Sequence, residues 1–417
     1  MDPIASLHPT HKDWLLSSIL APHLEAFLDH LREGRYAAHT VRGYLGCVAH
    51  LARWMSQCHL PLERLDEAAV EQFLGVHLPR CNCPSPAIRT RSGLHAACGH
   101  LLRVLREHHA IAERAAPTGP IAEELRGFND YMRDVRGLAD GTRIDRIRIV
   151  QRLLQRRFAD RPVVTADLQP GDVRQFIAKE LGLRPSASHA SALASALRAY
   201  CRYRSTRGDP VHGLLGVVSS PAHWSLASLP RSLSPAEVER LLGSFTPGVP
   251  SARRGYAMVR CALDLGLRAG EIARLALADI DWHAGTVTLR QTKSRRQDIL
   301  PLPEATGRAL ADYLLHERPT TTNPALFVRR RAPHDQPIGS DAVRRLIGLA
   351  YRRIGLTHTR SHALRHTLAR RLVEQGSSIK EVADVLRHRS LNTSLIYAKV
   401  DRPRLAAVAL PWPGGAS

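Results

Sequence analysis

Apolar residues recur along most of this chain at the three- and four-residue intervals of helices rather than the alternation of strands. Leu24, Phe27 and Leu31 form one such stripe ahead of Thr40, and Leu125, Phe128 and Met132 form another ahead of Thr142. Further on, Leu65, Val70 and Phe73 are matched at identical spacing by Leu168, Val173 and Phe176, so the pattern repeats at an offset of roughly one hundred residues. The repeat predicts two small helical domains, residues 1–115 and 118–223, each with its threonine as N-cap of a long helix, 40–55 and 142–158. In the second long helix Ile147, Leu154 and Phe158 give a buried stripe, while Arg148, Arg152 and Arg156 stack one turn apart as a ladder suited to a phosphate track.

The pattern changes beyond residue 220. Pro221, Pro230 and Pro235 punctuate a stretch that reads as a linker, 224–234. Ser234 then caps a helix opened by Pro235 and Glu237, which begins a third domain, 235–400. Val287 and Leu289 alternate ahead of the polar run 291–297, and Ile299, Leu300 and Leu302 follow it, a hairpin with Lys293 near its tip. Leu364, Leu368 and Leu372 mark a helix that carries His362 and Arg365 on neighbouring faces, with Gly376 as its stop. Ser378 and Glu381 form a capping box for a helix over 379–386, which puts His388 in the turn just beyond. The tail, 401–417, holds a short helical pattern with Leu405 and Val408. The fold expected is mainly α and multidomain, with a small antiparallel sheet in the third domain.

Charge narrows the partners. Lys and Arg exceed Asp and Glu to give +21 with a sequence pI near 10.6, a bias suited to double-stranded DNA. No apolar run approaches the ~18 residues of a membrane span and no signal peptide opens at Met1, so the expectation is a cytoplasmic, nucleoid-associated protein with no membrane partner. Seven cysteines, an odd number without an export signal, predict reduced thiols. His77, Cys81, Cys83, His95, Cys98 and His100 crowd the first domain, and Cys81-Asn82-Cys83-Pro84 is prone to turn. Cys and His among reduced thiols leave zinc open as an alternative, but a single residue between two cysteines is not the usual zinc pair, so the expectation there is buried or incidental Cys and His with no metal.

The chemistry-bearing residues of the third domain come in order: Arg268, Lys293, His362 with Arg365, His388 and Tyr397. Together they suit metal-free cleavage of a phosphodiester. A phenolic oxygen can attack phosphorus while two planar guanidiniums hold the non-bridging oxygens of the transition state. Lys293 is the candidate acid for the departing sugar oxygen, and the two histidines remain for proton handling and oxyanion contact. Taken singly, a tyrosine in Leu395-Ile396-Tyr397 reads as core and either arginine as half of a surface ion pair; the ordered set reverses that reading.

On these residues the region from about 230 to 400 resembles the catalytic domain of the tyrosine recombinase (phage integrase) family. Gly266-Leu267-Arg268-Ala269-Gly270-Glu271-Ile272 is similar to its first box, Lys293-Ser294-Arg295-Arg296 to its hairpin lysine segment, and His362-Ala363-Leu364-Arg365-His366-Thr367 to its second box. Leu386-Arg387-His388-Arg389-Ser390 and Tyr397-Ala398-Lys399-Val400 complete the match, with Ser294, Asp298 and Arg387 departing from it, the last standing where glycine usually precedes the histidine. The resemblance implies a site-specific integrase or transposase working through a 3′-phosphotyrosyl intermediate, without cofactors, ATP or metal. It makes 118–223 a core-binding domain that clamps DNA with the catalytic domain, and gives Glu271 a supporting role and Arg295 and Arg296 DNA contacts. It further implies a tetramer on DNA, with the tail docking in cis or in trans. The additional first domain, helical and SAM-like, resembles recombinases encoded in groups of three in bacterial mobile elements and suggests companion recombinases as partners. Two rivals remain: a type IB topoisomerase-like relaxing enzyme and a catalytically silent DNA-binding factor.

Overall fold

Helical periodicity in the sequence becomes helices nearly throughout the computed structural model, which describes residues 3–114, 117–159, 161–219, 231–290, 297–357, 359–388 and 390–400. The chain divides into two units, one of Met1–Ile111 with Leu226–Ser417 and the other of Ala112–Ser225. Among the described residues no helix is long and apolar enough to cross a membrane.

The N-terminal half of the first unit contains α1 (Pro9–Leu16), α2 (Leu24–Glu33), α3 (Ala38–Gln57), α4 (Glu67–Gln72) and α5 (Arg91–Glu107). After α4 the chain passes through a π turn, Phe73–His77, and a 3-10 turn, Leu78–Arg80, before an irregular stretch leads to α5. Leu24, Phe27, Leu31, Leu65, Val70 and Phe73 all lie in its core.

The second unit contains α6 (Pro120–Asp130), α7 (Asp140–Phe158), α8 (Pro170–Leu183), α9 (Ala187–Ser205) and α10 (His212–Val217). Its own core buries Leu125, Phe128, Met132, Leu168, Val173 and Phe176. From α2 to α5 and from α6 to α9 the α-helices follow one order, helix, long helix, helix, long helix, with the 3-10 turns Leu62–Arg64 and Thr165–Asp167 in the same place and each closing on a buried leucine, while the π turn follows α4 in one set and, as Tyr131–Val135, follows α6 in the other. Residues expected to correspond are buried alike.

Two local expectations fail. Thr40 and Thr142 are not N-caps: Ala37 and Ala139 hold those positions with no side-chain cap bond, and the threonines fall within the first turn. Ala38, a strong helix former, and Asp140, whose negative charge lies at the positive end of the helix dipole, let the helices start earlier. Ile147 is only at the margin of the core, where Ile149, Val150 and Leu153 join Leu154 and Phe158.

The C-terminal half of the first unit packs α11 (Pro235–Gly243), α12 (Ala252–Asp264), α13 (Ala269–Arg274), α14 (Glu304–His316), α15 (Ser340–Arg353), α16 (His362–Glu374) and α17 (Ile379–Val385) around a small sheet. The sheet is β1 (Ile280–Asp281), β2 (Thr286–Leu289) and β3 (Asp298–Pro301), antiparallel in that order, with Leu289 opposite Asp298. That register makes 290–297 the hairpin connection; Lys293, Arg295 and Arg296 themselves lie outside the described residues, as does the tail from Asp401. Ser234 caps α11 as anticipated: its hydroxyl accepts from the Glu237 N–H at 3.2 Å and the Glu237 carboxylate accepts from the Ser234 N–H at 2.7 Å. Helix α16 spans two cores, Ala363 and Leu364 in the main one, Ala369 and Val373 in a smaller one shared with Val382, Leu386 and Tyr397. The two halves of this unit meet where Arg35 pairs with Asp335 at 2.8 Å and the His334 N–H donates to the Gly34 carbonyl at 3.1 Å.

Candidate active site

Two chain turns and a helix bring the site together. After α12, Gly266 takes φ +60 and leads into Arg268, the N-cap of α13. A Cβ on Gly266 would come within 2.9 Å of the Leu386 side chain and 3.0 Å of Leu368, so glycine is required by close approach as well as by its backbone angle. Helix α16 carries Arg365 and His366. The capping box at Ser378 and Glu381 starts α17, and His388 lies in the turn beyond it, as its sequence spacing predicts.

Glu271 organises the cations. It is 4% exposed, accepts from the Arg268 N–H at 2.9 Å and from the Arg268 guanidinium at 2.7 Å, and takes a third bond from Arg387 at 3.1 Å. Burial works to raise its pKa, yet the Arg268 N–H and the Arg387 and Arg268 guanidiniums outweigh it and hold the carboxyl below the usual range. Arg365, also 4% exposed, donates to the backbone carbonyls of Gly266 and Leu386, which fixes its planar fork between the α12–α13 turn and the end of α17. Burial, and then repulsion from Arg268 and Arg387, pushes its pKa down to about 9. Three guanidiniums thus surround one carboxylate, and the excess is positive.

Tyr397 sits at the edge of this excess. Its ring is 1% exposed and stacks at 8° on His388 with centroids 6.4 Å apart, and its hydroxyl is 2.8 Å from Nδ1 of His366. Burial raises the phenol to about 12 against the opposing pull of Arg365 and Arg268. His366 is lowered to about 4 by burial, then by His362 and Arg365; His388 is lowered to about 4 by burial, then by Arg365 and Arg268. Both imidazoles are therefore neutral near pH 7 and can accept protons. His388 Nδ1 bonds the buried Ser394 hydroxyl, which orients its ring. His362 is exposed in the first turn of α16, one turn before His366.

Of the residues expected from sequence, Arg268, Glu271, Arg365, His388 and Tyr397 converge, and His362 lies at the border. Three contributors were missed. His366 touches the phenol; the only sequence sign was its place four residues after His362, on the same helix face. Arg387 is buried beside Glu271 at φ +55, a conformation costly for a long side chain and here held by bonds to Glu271 and to the Leu265, Val385 and Gly266 carbonyls. Ser394 carried no signal. In the second unit Arg148 and Arg156 are exposed on α7, but Arg152 is engaged by Glu180 at 2.6 Å. Arg146, half-buried there, has its pKa lowered by burial and by repulsion from Arg202 and Arg136, a second concentration of positive charge.

Comparison with known proteins adds an independent line. Residues 231–404 match the phage integrase family. The integrase/recombinase y4rA of Sinorhizobium fredii is 33% identical over 402 residues, covering 95% of each chain, and tyrosine recombinase XerC of Azotobacter vinelandii is 31% identical over 299 residues, 68% of this chain and 94% of that one. Among solved structures, XerH recombinase bound to its palindromic difH substrate is similar with TM-score 0.54 at 17% identity, and a λ integrase dimer on a COC′ core site with 0.52 at 19%. These cover 71% and 70% of this chain and 97% of each solved chain, and at such identities they speak for the fold.

Proposed function

Since the chain belongs to the phage integrase family and is a tyrosine site-specific recombinase, we propose how its own residues perform the reaction on double-stranded DNA. Tyr397 attacks the scissile phosphate, forming a 3′-phosphotyrosyl bond as the phosphorus–5′-oxygen bond breaks. Neutral His366, in hydrogen-bond contact with the phenol, takes its proton. Arg268 and Arg365 receive the non-bridging oxygens, where negative charge grows as the phosphorus becomes pentacoordinate. His388 and His362 contact the same phosphate, and Lys293 on the hairpin connection protonates the departing 5′-oxygen. An incoming 5′-hydroxyl from a partner strand then reverses the steps. Because one ester replaces another of similar energy, no ATP is consumed.

The observation that carries this reading is the surplus of buried guanidinium around Glu271, next to a phenol already paired with a neutral base. A phosphodiester supplies the missing negative charge. Glu271 and Arg387 act through Arg268, as positioning residues. Tyr397 belongs to the small core on α16 and α17 rather than to the main one, so that core can loosen to expose the phenol without disturbing the rest.

DNA is the partner on two further grounds: the +21 charge, and the DNA complexes that XerH and λ integrase form. In the second unit we assign phosphate contacts to Arg148 and Arg156, with Arg136, Arg146 and Arg202 as a cluster whose mutual repulsion an anion would relieve; Arg152 would have to leave Glu180. The hairpin Arg295 and Arg296 extend the contact. Exchange between two duplexes calls for four copies, and companion recombinases are expected alongside. The relaxing-enzyme and silent-factor readings are not favoured, since the relatives are recombinases and the cationic set is intact.

The decisive test begins by sequencing covalent DNA–protein junctions in cells expressing the chain, which identifies the site. A nicked duplex of that site, which loses its 5′-hydroxyl strand on cleavage, then traps the adduct. Wild type should form an SDS-stable adduct and Tyr397→Phe should bind the duplex without one. An adduct with Tyr397→Phe overturns the assignment of the nucleophile.

A further inference from the structure

The Cys and His residues of the first domain do not stay together as the sequence groups them. Cys98 is fully buried among apolar residues of α5, and His95 is exposed. His100 bonds Tyr36 and His30, each at 3.0 Å. What remains, His77, Cys81 and Cys83, is joined by His50, a fully buried residue from the middle of α3 that lies 27 positions before His77. One ligand atom from each of these four falls within 4.8 Å of every other.

We propose that His50, His77, Cys81 and Cys83 hold a zinc ion that fastens the segment 73–90 onto α3. The distances suit a tetrahedron. With Zn–N near 2.0–2.1 Å and Zn–S near 2.3 Å, the edges of a tetrahedral N₂S₂ site are ~3.3 Å for N···N and ~3.6 Å for N···S. Nε2 of His50 and Nε2 of His77 are 3.3 Å apart, while Cys81 Sγ is 3.2 Å from His50 Nε2 and Cys83 Sγ is 3.8 Å from His77 Nε2.

The surroundings prepare these atoms as ligands. His50 Nδ1–H donates to the Ile88 carbonyl at 2.7 Å, which fixes the tautomer and leaves Nε2 as a lone pair facing the cluster. The Cys83 N–H donates to Cys81 Sγ at 3.4 Å, a bond that stabilises a thiolate, and Arg89 holds the Cys83 carbonyl at 2.9 Å. Phe73 stacks on His77 at 17° and meets His50 edge-on, setting both rings. The π turn Phe73–His77 aims His77 inward. Two imidazoles and two thiolates in tetrahedral array suit zinc, and a site with four protein ligands and no open position is structural rather than catalytic. Binding releases the two thiol protons. Residues 81–90 contain no helix or strand, so the ion would supply the anchoring that regular structure does not.

The test uses full-length protein purified from zinc-supplemented medium, with all first-row metals measured. One zinc per chain is expected, released by a mercurial as two thiols react beyond the exposed Cys58. Cobalt substitution should give the visible bands of a tetrahedral thiolate site. Cys81→Ser and Cys83→Ser should each lose the metal, while Cys58→Ser, an exposed thiol outside the cluster, keeps it. Chelation should lower the melting temperature and open residues 78–90 to protease. Wild type holding under a tenth of a zinc per chain after zinc reconstitution overturns the proposal, as does zinc retained in the double Cys81, Cys83→Ser variant. The mercurial result on wild type stands even if a variant fails to fold.

Discussion

Two buried clusters in the same unit are unbalanced in opposite senses. Around Glu271 the C-terminal half gathers Arg268, Arg365 and Arg387 against a single carboxylate. Around His50 the N-terminal half gathers imidazole nitrogens and sulfurs, with no cation among the four. Burying a polar group is tolerated only when its partner is supplied. The sign of each imbalance matches the ligand proposed for it, an anion at the first cluster and a cation at the second. Their settings differ as well. The anion site is built between two turns beside a small core, which suits a ligand that arrives and leaves; the proposed cation site would lock an irregular segment to the centre of a long helix.

The sharpest way to break that contrast is at the leaving group. Lys293→Ala should reduce cleavage by ~10²–10⁴, the usual contribution of a general acid. A duplex with sulfur in place of the departing 5′-oxygen needs little protonation and should restore most of the rate. Equal defects on both substrates would remove Lys293 from that role.

Removing positive charge from the anion site comes next. Arg268→Ala or Arg365→Ala should lower the rate of adduct formation by ~10²–10³ at saturating DNA, by analogy with loss of one oxyanion donor. Arg365→Lys should recover little, because an ammonium cannot span the Gly266 and Leu386 carbonyls and still face the phosphate. If Arg365→Lys cleaves like wild type, the fork geometry is irrelevant and only charge matters.

How much of this was legible follows the range of the interactions. Capping boxes at Ser234 and Ser378, the leucine spacing of α16 and the alternation of Val287 and Leu289 ahead of a second apolar stretch are written within a few residues, and each appears in the fold as expected. The ordered motifs likewise brought Arg268, Arg365, His388 and Tyr397 forward. Thr40 and Thr142 misled because a capping residue was available but flanking residues extended the helices past it. His50 and Arg387 were out of reach for another reason. Each owes its role to a contact that no local spacing encodes, His50 with residues of a distant turn and Arg387 with Glu271, 116 positions away.

Arg387 offers a smaller and more discriminating test. Arg387→Gly restores the residue usual in the family and relieves the positive φ, but withdraws one of the two guanidiniums that hold Glu271. Adduct formation should fall about tenfold, by analogy with residues that orient metal ligands, while DNA affinity is unchanged. Arg387→Lys should restore part of it. A glycine variant as fast as wild type would mean that Arg268 and Glu271 are rigid without Arg387.

Stability against pH offers a last test, and it reads proton uptake at the anion site alone. His366 and His388 protonate in the folded protein only near pH 4, whereas in the unfolded chain they do so near 6.5. Between those values the unfolded state binds more protons, so stability is full above pH 6.5 and is lost as pH falls towards 4. For His366 the loss at pH 4 should be at most about 3 kcal/mol, from 1.36 kcal/mol per pKa unit. Urea midpoints of wild type and His366→Gln at pH 7, 6 and 5 would measure it, since glutamine can bond the Tyr397 hydroxyl but does not titrate in this range. The difference between the two proteins should shift in favour of the glutamine variant as pH falls. Histidines elsewhere, His50 and His77 included, contribute equally to both and cancel. A difference that stays constant with pH would mean that His366 protonates as freely in the folded chain as in the unfolded one, so that neither burial nor the neighbouring His362 and Arg365 depresses its proton affinity.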